Sequence, residues 1–503
     1  MTTSTRRATP GGTTPAASSG DGARAGSRPS RRLDWLWAAA LTFVVAVVGS
    51  GTPLLWRDEL ASWNAAVRST GDLIGMLGHV DAVSGLYYLL LHAWISVFGD
   101  SEAMLRMPSA IAMAGAAAFA VLTARTAFDR RTAVFTGLLF ALLPSVTRYG
   151  QEARSYAFVV LAVTAATWLL LRALDRSSPA RWAPYAVAVA AAGLFHIVSL
   201  LFLLPHALIV LLRWWSDLRG RTLVAFAVTT ALALVPVVPL VLLGQRQVGR
   251  QISWIKTPHL RSIADVWNAL FGSPLIALAV IGLAMLPLAW PRGRRRALEL
   301  LLVGAVPILA DWVVSQGSTS YFMDRYLLFT MPAWVVLAAA GLAALRPRPL
   351  GVAGLAAVIL LGLPDQRQIR TEQVKNGVQG EEAAQIIAKG YRPGDGFVPV
   401  RGNDSVYMVD FQVEYALPDR VKLRDVFAER SGVANDDLFP VECKQAEQCL
   451  GTTQRIWVVT WSGTANPYHK LPKDQAAALE KHYKVVQTTK THGFQVTLVE
   501  RVR

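Results

Sequence analysis

Three short stretches of this 503-residue chain hold residue types suited to acid–base and anion chemistry. The first is "WRDE", Trp56 to Glu59, where Arg57, Asp58 and Glu59 follow an almost unbroken apolar run from Leu33 to Leu55. The second is "RYGQEARSYAF", residues 148–158, with Arg148, Tyr149, Gln151, Glu152, Arg154 and Tyr156. The third and weaker is "SYFMDRYLLF", residues 320–329, with Asp324, Arg325 and Tyr326. Guanidinium groups bind phosphate bidentately. An aspartate beside a membrane suits a general base that takes a proton from a hydroxyl. Together, at headgroup level, they fit a substrate with its phosphate at the interface and its tail in lipid. A polyprenyl-phosphate sugar has that shape.

The bland alternative is anchoring, since charges, Trp and Tyr at span ends commonly hold a helix at the interface. Anchors, however, are usually isolated. Here carboxylates and arginines recur together at three span ends, and ionisable groups beside a bilayer are costly, so function is the default reading.

The elements that must position these residues follow from composition. The chain is 53% hydrophobic and only 17% charged, against about 25% charge in soluble domains. Several apolar runs reach the roughly 20 residues a spanning helix needs. This describes an α-helical polytopic membrane protein. Spans are expected near 33–55, 103–124, 132–148, 155–173, 182–198, 199–213, 222–243, 274–290, 298–315, 325–345 and 350–363. The segment 82–98 is ambiguous by length, and charge decides it. If it does not cross, the basic loops around Arg125–Arg131, Arg172–Arg181, Arg213–Arg221, Arg292–Arg296 and Arg346–Arg348 all share the side of the basic N-terminus, as the positive-inside rule requires. It is therefore expected as a juxtamembrane helix on the outer face, leaving eleven spans. The apolar run 182–213 is expected as a hairpin turning near His196 to Ser199. The net charge of +16 lies in these loops, so it points to topology and not to nucleic acid.

Residues 1–32, rich in Ser, Thr, Gly, Pro and Arg, read as a disordered cytoplasmic tail. Residues 33–363 form the transmembrane module. Residues 364–503 have the composition of a soluble α/β domain, placed outside, with helices at "EEAAQIIAKGY" and "KDQAAALEKHY" and strands at "DGFVPV", "RIWVVTW" and "GFQVTLVERV". Cys443 and Cys449 would then lie in an oxidising compartment, where a local disulfide is preferred over a metal pair.

In order and combination these motifs resemble the GT-C superfamily of integral-membrane glycosyltransferases. The likeness is to family 39, the polyprenyl-phosphate-mannose protein mannosyltransferases and lipid A aminoarabinose transferases. It rests on "WRDE", "GLYYLLLHAWISVFG", "LRMPSAIA", "YGQEARSYA" and "MDRYLLFTMPA", and it covers roughly residues 33–345. The resemblance implies a transferase that moves a hexosyl or pentosyl group, mannose first, from a polyprenyl-phosphate donor to an extracytoplasmic protein, glycolipid or envelope polysaccharide, with inversion. It implies that Asp58 is the catalytic base and that Glu59 positions the acceptor or a neighbouring arginine. Glu152 and Arg154 would line the same cavity, with Arg154 and Arg325 holding the donor phosphate and Tyr149, Tyr156 and Tyr326 bonding phosphate or sugar. The chain departs from the family at "GHVDAVSGLYY", which has His79 and Asp81 but no His-Pro-Pro-like element; these two residues and His196 are candidates for the acceptor side.

His92, His196 and His206 lie on apolar runs, where a histidine bonded between helices is the ordinary case. The loop 249–260, with Trp254, Lys256 and His259, reads first as a connector and second as a cover over substrate. No cofactor is expected. Asp58, Glu152 and Asp324 have the oxygen ligands a divalent cation takes, but carboxylate plus arginine argues for neutralisation by Arg. Two other classes compete: a transporter or flippase of lipid-linked sugars, which would show internal repeats and broken spans in matching halves, and a non-catalytic scaffold that binds envelope polymers.

Overall fold

The computed structural model describes residues 34–502 except 217–219, 292, 376–379 and 402–407. The tail expected at 1–32 lies outside the described residues. From Trp35 to the end the chain packs as one compact unit.

The first helices are α1 (Leu36–Val47), α2 (Arg57–Ala66), α3 (Thr70–Leu77), α4 (Gly85–Phe98) and α5 (Glu102–Ala127). They continue as α6 (Arg130–Leu142), α7 (Pro144–Gly150), α8 (Tyr156–Asp175) and α9 (Pro179–Phe195). Among the described residues six helices are long and apolar enough to cross a membrane, or nine if each of three bent pairs is one span. The bent pairs are α6 with α7 (58°), Gly220–Leu234 with Val238–Gly249 (56°), and Leu260–Phe271 with Pro274–Ala289 (95°). The stretch 244–273, which lies between two expected spans, is thus largely helical. The segment 82–98 forms a short apolar helix, and the hairpin breaks at His196 between α9 and a helix reaching Ser216.

The first apolar run differs from expectation. Its helix covers only Leu36–Val47. Gly49 (φ +74°), Gly51 and Pro53 end it, because glycine takes up positive φ and proline lacks an N–H. Buried carbonyls in an irregular stretch need donors, and three side chains from distant parts of the chain supply them. Arg370 donates to Val45 O and Val48 O (2.7 and 2.9 Å), Gln151 to Ala46 O and Val48 O (2.8 and 3.0 Å), and Arg106 to Ser50 O and Pro53 O (2.5 and 2.8 Å). The chain is thereby free to leave the bundle and start α2 at its surface.

Helix α5 is the central post, packed against α1, α6 and α8 along an alanine-rich face. Small residues let helices approach closely where lipid offers no hydrophobic drive. Pro108 within α5 cannot bond the carbonyl of Met104. Trp94 of α4 donates to that carbonyl instead (2.9 Å), which fastens the juxtamembrane layer to the bundle.

The C-terminal part carries a five-stranded mixed sheet of order β2-β1-β5-β7-β6. Its strands are β1 (Gly396–Pro399), β2 (Arg424–Asp425), β5 (Arg455–Trp461), β6 (Tyr483–Lys490) and β7 (Phe494–Arg501), with a separate antiparallel pair β3 (Ala428–Arg430) and β4 (Val441–Glu442). β1 runs parallel to β2 and β5, while β7 pairs antiparallel with β5 and β6. Helices Gly380–Gly390 and Lys473–His482 cover it, burying Ala383, Ile387 and Leu479 against Val398, Val458 and Val496. Cys443 and Cys449 are bonded. A third core joins Leu60, Trp63 and Met76 of the juxtamembrane helices to Met408, Phe411 and Leu438 of the C-terminal part, so α2 is clamped from both sides.

Candidate active site

The first turn of α2 places Asp58 and Glu59 at a helix N-terminus, where carboxylates are favoured by the dipole. Neighbours on a helix point about 100° apart, and the two side chains meet opposite fates.

Glu59 is fully buried. Its carboxylate takes a bidentate pair from Arg106 (2.8 and 2.9 Å), the Ala153 backbone N–H (3.0 Å) and Lys375 (3.1 Å). Burial alone would raise its pKa, but Arg106 and then Lys375 outweigh it and hold the carboxyl at about 2. It locks α2, α5 and the loop before α8 together, and Lys375 ties in the segment that leads to the sheet. Lys375 also donates to Gln151 O (2.8 Å), and burial lowers its pKa.

Asp58 is also buried, yet its carboxylate is not saturated in this way. Arg57 bonds one oxygen (3.2 Å), and Arg325 lies 3.7 Å from the other, an ion-pair distance too long for a hydrogen bond. Burial raises its pKa, but the fields of Arg154, Arg325 and Arg57 outweigh that and keep it below the usual carboxylate range. It is therefore an ionised carboxylate whose second oxygen is not taken up by a hydrogen bond from Arg325.

Arg325 lies over the rings of Trp56 (5.7 Å), Tyr326 (5.8 Å) and Trp254 (5.9 Å), and its buried Nε has no hydrogen-bond partner. Arg154 donates to the Tyr88 hydroxyl (3.0 Å), which donates to Asp81 (2.7 Å). Aromatic rings close the cluster: Tyr149 against Tyr156 (6.1 Å), Tyr156 against Tyr326 (6.2 Å), and His196 against Tyr326 (4.4 Å) and Tyr156 (6.1 Å). The buried Nδ1 of His196 and Oε1 of Glu152 lack partners. Burial raises the pKa of Glu152, and Lys375 opposes this.

The structure thus brings Asp58, Glu152, Arg154, Arg325, Tyr149, Tyr156, Tyr326 and His196 together from three sequence regions and the α9 hairpin. Asp81 joins through Tyr88. His79 does not: it is exposed and its Nδ1 bonds Gly75 O of its own helix (3.1 Å). Trp254 enters from the 249–260 loop, beneath both Arg57 (5.7 Å) and Arg325. Sequence reasoning gave no role to Arg106 or Lys375. Arg106 had a signal, a lone arginine inside an apolar helix that must find a partner. Lys375 had none, as one lysine in a polar segment. Among the described residues no group of three or more His, Cys, Asp and Glu could hold a metal ion.

The bundle and its juxtamembrane layer have a GT-C-type fold, that of a multi-pass membrane protein, with the carboxylate–arginine cluster between them. The model of the dolichyl-phosphate-mannose-protein mannosyltransferase family matches residues 85–242. The fold is similar to that of ArnT from Cupriavidus metallidurans bound to undecaprenyl phosphate, at TM-score 0.63 and 15% identity over 93% of this chain and 98% of that one. It is also similar to the oligosaccharyltransferase AglB from Archaeoglobus fulgidus in complex with an inhibitory peptide and a dolichol-phosphate, at 0.50 and 12% over 92% and 74%. Arabinofuranosyltransferase AftD from Mycobacteria matches at 0.52 and 15% over 94% of this chain and 42% of its own. No curated protein sequence matches the chain.

Proposed function

We propose that this chain transfers a sugar, mannose first, from a polyprenyl-phosphate donor to an extracytoplasmic hydroxyl acceptor, with inversion. One observation carries the reading: an ionised, unsaturated carboxylate, Asp58, lies within ion-pair distance of Arg325, whose Nε is unpartnered. Asp58 takes the proton of the acceptor hydroxyl as its oxygen attacks the anomeric carbon. The carbon–oxygen bond to phosphate breaks, and the pair leaves on the polyprenyl phosphate. Arg325 and Arg154 stabilise the charge that develops there, as preorganised cations in a dry site do best. Neutralisation falls to arginine, so no metal is required. The similar structures of ArnT bound to undecaprenyl phosphate and of AglB in complex with a dolichol-phosphate support the donor class. The N-terminus is cytoplasmic and the C-terminal sheet extracytoplasmic.

The test uses membranes holding wild type or Asp58→Asn and radiolabelled polyprenyl-phosphate mannose, arabinose or galactose. Released polyprenyl phosphate is counted, and label is followed in protein, glycolipid and polymer. Loss of a general base should slow release by about 10²–10⁴-fold. Equal release by both proteins would remove Asp58 from the chemistry.

A further inference from the structure

We propose that the cleft between the end of α2 and the C-terminal sheet binds a neutral oligosaccharide, the acceptor of the transfer. This rests on the transferase reading and deepens it. The cleft has a volume of about 540 Å³, within the range of small-molecule sites. Arg68 and Trp63 form one wall, and Arg401, Asp425, Phe397 and Phe411 the other.

Each wall carries a hydrogen-bonding group with nothing to bond. Arg68 is 6% exposed. Its Nη2 donates to Asn64 Oδ1 and Asp437 O, both at 2.8 Å, but its Nε and Nη1 are buried without partners. Across the cleft, Asp425 accepts from Arg401 with one oxygen, and its other oxygen is buried without a partner. Leaving buried polar groups unmet is costly, and native structures rarely do so without reason. A hydroxyl is both donor and acceptor, so one polyol meets Arg68 and Asp425 alike.

Charge excludes the simpler ligands. Three cationic and four carboxylate side chains line the cleft. Arg401 is already spent on Asp410 (3.0 Å), Glu442 (3.0 Å) and Asp425. An anion would satisfy Arg68 and be repelled by the carboxylates; a cation would meet the reverse. A peptide adding a strand would need a sheet edge, and the edge strand β2 offers only Arg424 and Asp425. Trp63, Phe397 and Phe411 are buried behind the lining, and it is the mixed donors and acceptors of the cleft that suit the hydroxyls of sugar rings.

The geometry also sets length. Arg68 lies ten residues after Asp58, just past the end of α2 at Ala66, and the helical stretch from Asp58 to Ala66 alone is about 12 Å at 1.5 Å per residue. One sugar cannot touch both ends. Asp58 does not line the cleft, so an acceptor held there has to be several sugars long to reach it.

The test is calorimetric titration of the full-length protein in nanodiscs with neutral tetrasaccharides of mannose, glucose, galactose or arabinose, and with an unglycosylated Ser/Thr-rich peptide. Wild type and Asp58→Asn should bind one tetrasaccharide alike. Arg68→Met should bind it about tenfold more weakly or worse. Because Arg68 also holds Asp437, Val433→Trp is the second variant: Val433 lines the cleft, is 42% exposed, and its replacement fills the space without unpairing a charge. It too should lose binding. The proposal is overturned if no tetrasaccharide saturates, if only the peptide binds, or if Val433→Trp binds as wild type does. The titration reads binding and not turnover. An empty cleft with Asp58-dependent release intact removes this inference alone, while tetrasaccharide binding with no release by wild type removes the transferase reading.

Discussion

Changing Glu59 to Gln keeps the shape of the side chain and removes the charge at the centre of the buried cluster. Arg106 and Lys375 then face a neutral amide inside the protein. The fall of the Glu59 pKa from 4.5 to about 2 corresponds to about 3 kcal/mol of stabilisation. Breaking a buried ion pair by removing one partner costs about 3–5 kcal/mol, in agreement. The sign follows from the direction of the shift. The folded value lies below the ordinary one, so the contribution is complete above pH 4.5 and fades as pH falls from 4.5 towards 2. Heat stability of the purified protein in detergent, measured from neutral pH down through this window, checks both. Glu59→Gln should be less stable by about 3 kcal/mol at pH 7, and the gap to wild type should narrow below pH 4.5. Equal stability at pH 7, or a gap that stays constant through the window, would refute the view of Glu59 as the charged tie between bundle, loop and sheet.

Lys375→Met removes two buried charge-assisted hydrogen bonds and should cost about 2–4 kcal/mol; limited proteolysis should then release the C-terminal part faster than in wild type. Arg325→Lys keeps the charge but loses the planar fork, so undecaprenyl phosphate should bind about tenfold more weakly, as read by native mass spectrometry. Trp254→Ala removes a ring shared by Arg57 and Arg325 and should raise the donor KM by about three- to thirtyfold, the range of a partly desolvated cation–π contact. EDTA should leave release unchanged if arginine does the neutralising.

Much of the site was legible because a bilayer makes charge conspicuous. Asp58, Arg154 and Arg325 stood out as ionisable groups at the ends of apolar runs, and aromatic letters surrounded them. Their partners were not legible. Asp58 and Glu59 are adjacent in sequence, and nothing local says that one would be sealed by Arg106 and Lys375 while the other stayed open. The second of those partners lies 316 residues away. His79 and Asp81 looked alike in sequence, yet only Asp81 reaches the cluster, through Tyr88.

The break in the first run was written in Gly49, Gly51 and Pro53, but apolar length outweighed it in a hydropathy reading. Whether such a break can stay buried depends on donors from Arg106, Gln151 and Arg370, which only packing supplies. Hydropathy and the placement of arginine, by themselves, determined a membrane bundle with an α/β tail, because insertion energetics depend on composition along a helix and not on its neighbours. Tertiary structure alone decided which carboxylate is open, which cations serve it, and that a cleft forms where α2 meets the sheet. Those outcomes depend on distances between groups far apart in the chain, and no local pattern of letters encodes them.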